Sequence, residues 1–216
     1  MEDFTSGSII FTSNSRLEDP IEPTNFITEF SGIIKAYSEE IQDEVEVGRI
    51  EGSIVEMKKN SNYGYSVNDL FDASSEIDEY MAQVWDYDNH DYSKSVNPEA
   101  EYLCDTLILE KLYIYPEFNG HSYGLAAIQR TIEHFDRDNF LVLFKADPLQ
   151  FFDKGRHSDN FNNRMDISKF ETEKNKALKS LMSYYSLGGF KRIGKTKYMC
   201  KLKVGYKEEL INGVIQ

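Results

Sequence analysis

The sequence predicts an α/β (α+β) domain built round a strand–helix–strand unit, and three observations lead there. An apolar run from Leu107 to Tyr115 (LILEKLYIY) is stopped by Pro116. A second run, Phe140 to Ala146 (FLVLFKA), is stopped by Asp147-Pro148. Between them Leu125, Ile128, Ile132 and Phe135 recur at i, i+3, i+7 and i+10, the spacing of one helix face. Two buried strands joined through a helix read as a βαβ crossover.

The other elements follow in chain order. Residues 1–22 are polar and read as a loose N-terminal segment, leaving 23–216 as a single domain. Asn25 to Tyr37 and Val45 to Met57 are rich in β-branched and aromatic residues and read as two paired strands. Asn60-Ser61-Asn62-Tyr63-Gly64 reads as a turn or loop. Leu70, Ile77, Met81 and Val84 or Trp85 fall at helical spacing, so residues 66–87 read as one amphipathic helix, with a polar loop from Asp86 to Pro98. Residues 149–171 form an irregular excursion. Ala177, Leu178, Leu181 and Tyr185 mark a last helix that Gly188-Gly189 ends, and Phe190 to Lys203 supply a closing pair of strands.

Composition narrows the function classes. With 40% hydrophobic and 13% aromatic residues in 216, the chain can bury a core, which excludes wholesale disorder. A net charge of −13 argues against a nucleic-acid partner, since phosphate affinity comes from Lys and Arg. Cys104 and Cys200 have no paired spacing, so neither a disulfide scaffold nor a cysteine zinc site is expected. His90, His134 and His157 show no ligand spacing, and Asp86, Asp88 and Asp91 lack an EF-hand pattern, so no metal is expected. No run of about 18 apolar residues and no basic leader occurs, so the expectation is a cytoplasmic protein without a membrane partner. Charge is also unevenly placed: residues 1–100 hold 22 acids against 6 bases, and residues 101–216 hold 15 against 18.

Chemistry concentrates between Leu107 and Phe135. A strand that feeds a glycine-containing loop and then a helix outlines a phosphate cradle, because the first helix amides lack internal partners and sit at the positive end of the dipole. Gly120 and Gly124 let backbone approach a ligand, and Ser122 is placed to cap the helix or donate to a phosphate oxygen. The Lys-Ser/Thr of a P-loop and the three-glycine dinucleotide spacing are both missing.

The run Leu112-Tyr113-Ile114-Tyr115-Pro116-Glu117-Phe118-Asn119-Gly120-His121-Ser122-Tyr123-Gly124 resembles the acetyl-CoA signature of the GNAT N-acetyltransferase superfamily, a strand ending in proline and then Arg/Gln-x-x-Gly-x-Gly/Ala at a helix start. Tyr185-Ser186-Leu187-Gly188-Gly189-Phe190 is similar to its second hallmark, Tyr-x-x-x-Gly-Phe. The resemblance covers about residues 103–203 and implies a GNAT-like mixed, mostly antiparallel central sheet with the βαβ unit flanked by helices. It further implies an acetyl-CoA-binding half at about 101–216 and an acceptor-side half at about 23–100. The backbone of Leu112, Tyr113 and Ile114 would pair with the pantetheine arm. The amides of Asn119, Gly120, His121, Ser122, Tyr123 and Gly124 would bind the pyrophosphate. Tyr185 would be the general acid at the thioester sulfur. Asn119 stands where the signature has Arg or Gln, and Ser122 where it has Gly.

Acetyl transfer to an amine needs a proton acceptor, because an alkyl amine with a pKa of about 10.4 is protonated at neutral pH. Glu110, beside the proposed cofactor residues, is the candidate base, directly or through a water chain. A strand amide such as that of Ile114 would support the oxyanion. The expected reaction is direct transfer from acetyl-CoA, without a metal, to a primary amine. The acceptor is a small molecule or a protein lysine or N-terminus, with a cationic one favoured by the acidic first half. The enzyme is expected as a monomer or homodimer. The alternative, which Asn119 and Ser122 favour, is a CoA-binding or protein-interaction module on a GNAT-like fold that does not catalyse. An acidic mimic of nucleic acid is a third, weaker class.

Overall fold

The structure, a computed structural model, describes residues 7–14, 22–94, 96, 104–135, 140–151 and 164–203. Seven strands form the central sheet. The two-strand pairing expected in the first half forms as β2 (Ile27–Ser38) and β3 (Asp43–Val55), antiparallel from Ile27↔Val55 to Ser38↔Asp43. Gly7–Asn14, within the segment expected to be loose, instead form an edge strand, β1, antiparallel to β2 from Gly7↔Ala36 to Asn14↔Glu29. Its Ile9 and Phe11 turn inward onto the core while Ile10 points out, so the strand is held by one face only.

The helix expected over 66–87 is two short ones, α2 (Val67–Asp72) and α3 (Ser75–Met81), and a further short helix, α1 (Met57–Asn62), precedes them and takes in part of the expected turn. Breaks fall where serines cap: Ser66 Oγ accepts from the Asn68 amide at 3.1 Å, and Ser74 Oγ from the Glu76 amide at 3.3 Å. Each capped amide restarts the helix in a new direction. The spacing of Leu70, Ile77, Met81 and Val84 nonetheless marked buried positions correctly. A two-residue hairpin, β4 (Trp85–Asp86) with β5 (Asp91–Tyr92), lies in the expected polar loop.

Then come β6 (Asp105–Ile114), α4 (Tyr123–His134) and β7 (Phe140–Lys145), with β6 and β7 parallel. Helix α5 (Lys174–Leu187) and strands β8 (Lys191–Arg192) and β9 (Tyr198–Lys203) complete the fold. Sheet order is β1-β2-β3-β6-β7-β9-β8, and only the β6–β7 pair is parallel. The protein is therefore a mixed α+β fold with a mostly antiparallel central sheet flanked by helices.

Helices α1 to α3 cover one face, packing Met57, Leu70, Phe71 and Met81 on Val55, Ile108, Leu141 and Leu143. Helices α4 and α5 cover the other, packing Ala127, Ile128 and Tyr185 on Ile50, Ile54, Leu107, Leu109, Val142 and Phe144. Burial on both faces is why the two central strands read as unbroken apolar runs.

Candidate functional site

The site is built where β6 and β7 part company. Their ladder runs from Asp105↔Phe140 to Leu109↔Phe144 and stops there, although β6 continues to Ile114. On its other edge β6 stays paired with β3 to Ile114↔Gly48, and the Tyr115 amide still donates to the Val47 carbonyl at 2.9 Å. The β3 pairing shifts between Glu51, opposite Lys111, and Gly52, opposite Leu109, so Glu110 is the extra residue of a β-bulge at the point of divergence.

Glu110 lies on the α1–α3 face and accepts a 2.6 Å hydrogen bond from Ser53 Oγ. Its pKa is raised above the usual carboxylate value. Burial is the largest cause, the charges of Glu76 and Glu29 add to it, and the Ser53 bond and Lys111 oppose it. Lys111 is itself held on Glu51 at 2.9 Å. A carboxylate that holds its proton more tightly is a stronger base.

Tyr185 comes to the same divergence from the opposite face. It is 3% exposed, its ring centroid is 4.1 Å from that of Phe144, and its hydroxyl makes no hydrogen bond among the described residues. Burial first, and then the neighbouring Tyr184, push its pKa well above that of a free tyrosine, so it keeps its proton. Glu110 and Tyr185 therefore flank the opening from its two sides.

Beyond β6 the chain turns through a 3-10 helix, Pro116–Phe118, and the Asn119 amide is used there, donating to the Pro116 carbonyl at 3.2 Å. Asn119 is thereby removed from the expected set of pyrophosphate-binding amides. Gly120 (φ +92) and Ser122 (φ +58) are both left-handed, so the non-glycine residue in the signature's glycine position carries that conformation at a cost. Replacing it should release the strain. Ser122→Gly is expected to stabilise the fold by about 1 kcal/mol after the extra chain entropy of glycine is set against the relief. Thermal unfolding checks it, and an unchanged or lower Tm would show that the backbone there is not strained.

The Ser122 side chain does not cap α4, contrary to the sequence expectation. Tyr184 does: its hydroxyl accepts from the Leu125 amide at 2.9 Å and draws on the Gly124 amide as well. A Cβ on Gly124 would meet Tyr184 Oη at 2.7 Å and Leu112 Cδ2 at 3.4 Å. Strand end, loop and α5 thus converge on Gly124, and Tyr184 holds them together. Ile114 packs beside Leu112 on the α4–α5 core, whereas His121 is exposed with its ring 5.8 Å from that of Tyr123.

Tyr113 faces the other way, buried with Tyr115 under Phe118, Leu149 and Met165. The Arg164 guanidinium lies 3.8 Å from the Tyr115 ring centroid and donates to the Glu46 carbonyl at 2.7 Å. Tyr115 Oη donates to Glu46 Oε1 at 2.6 Å and Arg49 Nε does so at 2.8 Å. Burial raises the Glu46 pKa, but the bonds from Arg49 and Tyr115 outweigh it and leave the carboxyl lowered. This clasp ties the end of the 149–171 excursion to β3 and β6, and no motif in the sequence announced it. Residues 152–163, the middle of that excursion, lie outside the described residues.

A cleft of about 830 Å³ lies between α4 and strands β1 and β2, lined by Ile9, Phe11, Lys35, Tyr123, Arg130 and His134 among others. Among the described residues no group of three or more His, Cys, Asp or Glu could hold a metal ion, and no helix is long and apolar enough to cross a membrane. Cys104 and Cys200 are buried thiols. No family model matches the chain, and no curated protein or solved structure is significantly similar to it.

Proposed function

We propose that the chain is an acetyl-CoA-dependent N-acetyltransferase of the GNAT type. The observation that carries this reading is the parting of β6 from β7 at Leu109/Phe144, with the Glu110 bulge at the fork and the left-handed loop before α4 beyond it. An extended pantetheine arm fits such a fork as an added strand beside residues 112–114, and the loop before α4, rather than the Gly124 and Leu125 amides that Tyr184 caps, would meet a pyrophosphate. In the reaction Glu110 takes the proton of the acceptor ammonium. The freed amine forms the new C–N bond at the thioester carbonyl, and the C–S bond breaks. Tyr185 Oη gives its proton to the departing thiolate and regains one from solvent, while the new amide nitrogen sheds its second proton to solvent and Glu110 later releases the first. The raised pKa of Tyr185 keeps it protonated but makes it the weaker acid toward a thiolate, in keeping with a modest contribution, and the raised pKa of Glu110 strengthens the base.

Calorimetry with coenzyme A, run beside a thiol-release screen of amines with acetyl-CoA, tests the reading. Binding and thiol release are expected. Tyr185→Phe should lower kcat about tenfold with coenzyme A affinity unchanged, the modest factor reflecting that a thiolate with a cysteine-like pKa leaves readily. No heat with millimolar coenzyme A would sink the proposal, and turnover untouched in Tyr185→Phe would remove the tyrosine from it. Binding without thiol release for any amine would favour the alternative of a non-catalytic CoA-binding module.

A further inference from the structure

The two edges of the central sheet differ. At one, β8 is two residues long and both, Lys191 and Arg192, are exposed cations, which deter a further strand. At the other, β1 runs for eight residues without a charged side chain, a proline or a bulge, and its outer edge pairs with no strand among the described residues. Unpaired amides and carbonyls along such an edge are a template for another strand.

Two exposed side chains point to the partner. Ile10 is 50% exposed and Ile33, its register partner on β2, is 38% exposed. Both stand on the sheet face opposite to Ile9 and Ile34, which pack in the α4–α5 core. Two copies of β1 meeting antiparallel about a twofold axis must match residues of the same facing, so the axis passes through a residue and not between two. With the axis at Ile10, that side chain meets its own copy and Ile33 flanks it on either side, which lines up four isoleucines across adjacent strands. On the other face Ile9 then meets Phe11 of the second copy. With the axis at Ile9 or Phe11, Ile10 meets Ser8 or Thr12 instead and the isoleucines do not join. Charge agrees with this edge: copies with a net charge of −13 repel each other, and β1 carries no charge of its own.

We propose that the protein pairs with a second copy of itself through β1, antiparallel about a twofold axis at Ile10, so that two seven-stranded sheets become one. The pairing goes beyond the acyl-transfer reading and does not depend on it. Sedimentation of the full chain over a concentration series tests it. The wild type should be a dimer at high micromolar concentration and dissociate on dilution, as a small interface of one strand per copy does. Ile10→Lys should weaken the dimer about tenfold or more, because like charges then stand opposite each other. The Tm of that variant at low concentration should stay level with the wild type, since the Ile10 side chain is outside the core. Ile10→Cys should form a covalent dimer on mild oxidation. Ser13→Cys, which the same register holds about 20 Å from its own copy, should not. The native Cys104 and Cys200 are buried and leave this comparison clear. A wild type that stays monomeric, a dimer that Ile10→Lys leaves intact, or an Ile10→Cys chain that cross-links no better than Ser13→Cys overturns the proposal. Growth past the dimer overturns it as well, because a twofold pair of edges closes on itself.

Discussion

Glu110→Gln is expected to lower kcat/KM for an amine acceptor by about a hundredfold or more, the usual contribution of a positioned general base. The pH profile separates this from a packing effect. Only the ionised carboxylate accepts a proton, so wild-type kcat/KM should fall as pH drops through the raised pKa of Glu110, and that limb should sit above the ordinary carboxylate range. In the glutamine variant the limb should vanish. Stability should move in the opposite direction. A carboxyl whose folded pKa exceeds its unfolded value favours the fold while protonated and loses that contribution as pH rises through the folded pKa. The neutral amide should therefore raise Tm at pH 7 relative to wild type and leave it nearly level at pH 4. A variant that loses activity and Tm together would mean that Glu110 is a structural partner of Ser53 rather than a base.

Gly48→Ala should destabilise the protein by about 3 kcal/mol, the upper part of the range for an overpacked site. A Cβ there would lie 2.0 Å from the Tyr113 carbonyl oxygen and 2.9 Å from Ile114 Cδ1. The first of these is backbone, so no rotamer change relieves it, and β3 must draw away from the end of β6. Urea unfolding should show a lower midpoint with an unchanged m-value. Because Tyr113 and Ile114 sit on the strand proposed to receive pantetheine, coenzyme A affinity should drop in the same variant. An unaltered midpoint would show that the two strands have room to spare.

The elements most legible in the sequence were those whose side chains are buried on both faces. Leu107 to Ile114 and Phe140 to Lys145 announce themselves as strands because neither face must be polar. The edge strand β1 did not, since half its residues face solvent and Gly7, Ser8, Thr12 and Ser13 look like loop. The error over 66–87 came from trusting periodicity across Ser74, whose capping bond redirects the chain without disturbing which residues are apolar.

At the site, Glu110 and Tyr185 were singled out by neighbourhood and motif, and the structure places both at the fork. The bulge at Glu110 was not legible, because it depends on how β3 pairs across it rather than on any residue of β6. Nor was the role of Tyr184: one ring among many in an aromatic-rich helix end gives no sign that its hydroxyl closes another helix sixty residues earlier.

The bulge has a consequence for how this strand tolerates change. Odd-numbered Leu107 and Leu109 lean toward α4 and α5, but after the extra residue it is even-numbered Leu112 and Ile114 that do so, while Tyr113 faces the opposite layer. One strand thus carries two phases of alternation, joined at a single position. Deleting Glu110 would merge the two phases into one uninterrupted zigzag in which Leu112 and Ile114 still face α4 and α5 and Tyr113 still faces away. Deleting a residue on either side of the bulge, with Glu110 kept, would instead shift the facing of the rest of the strand.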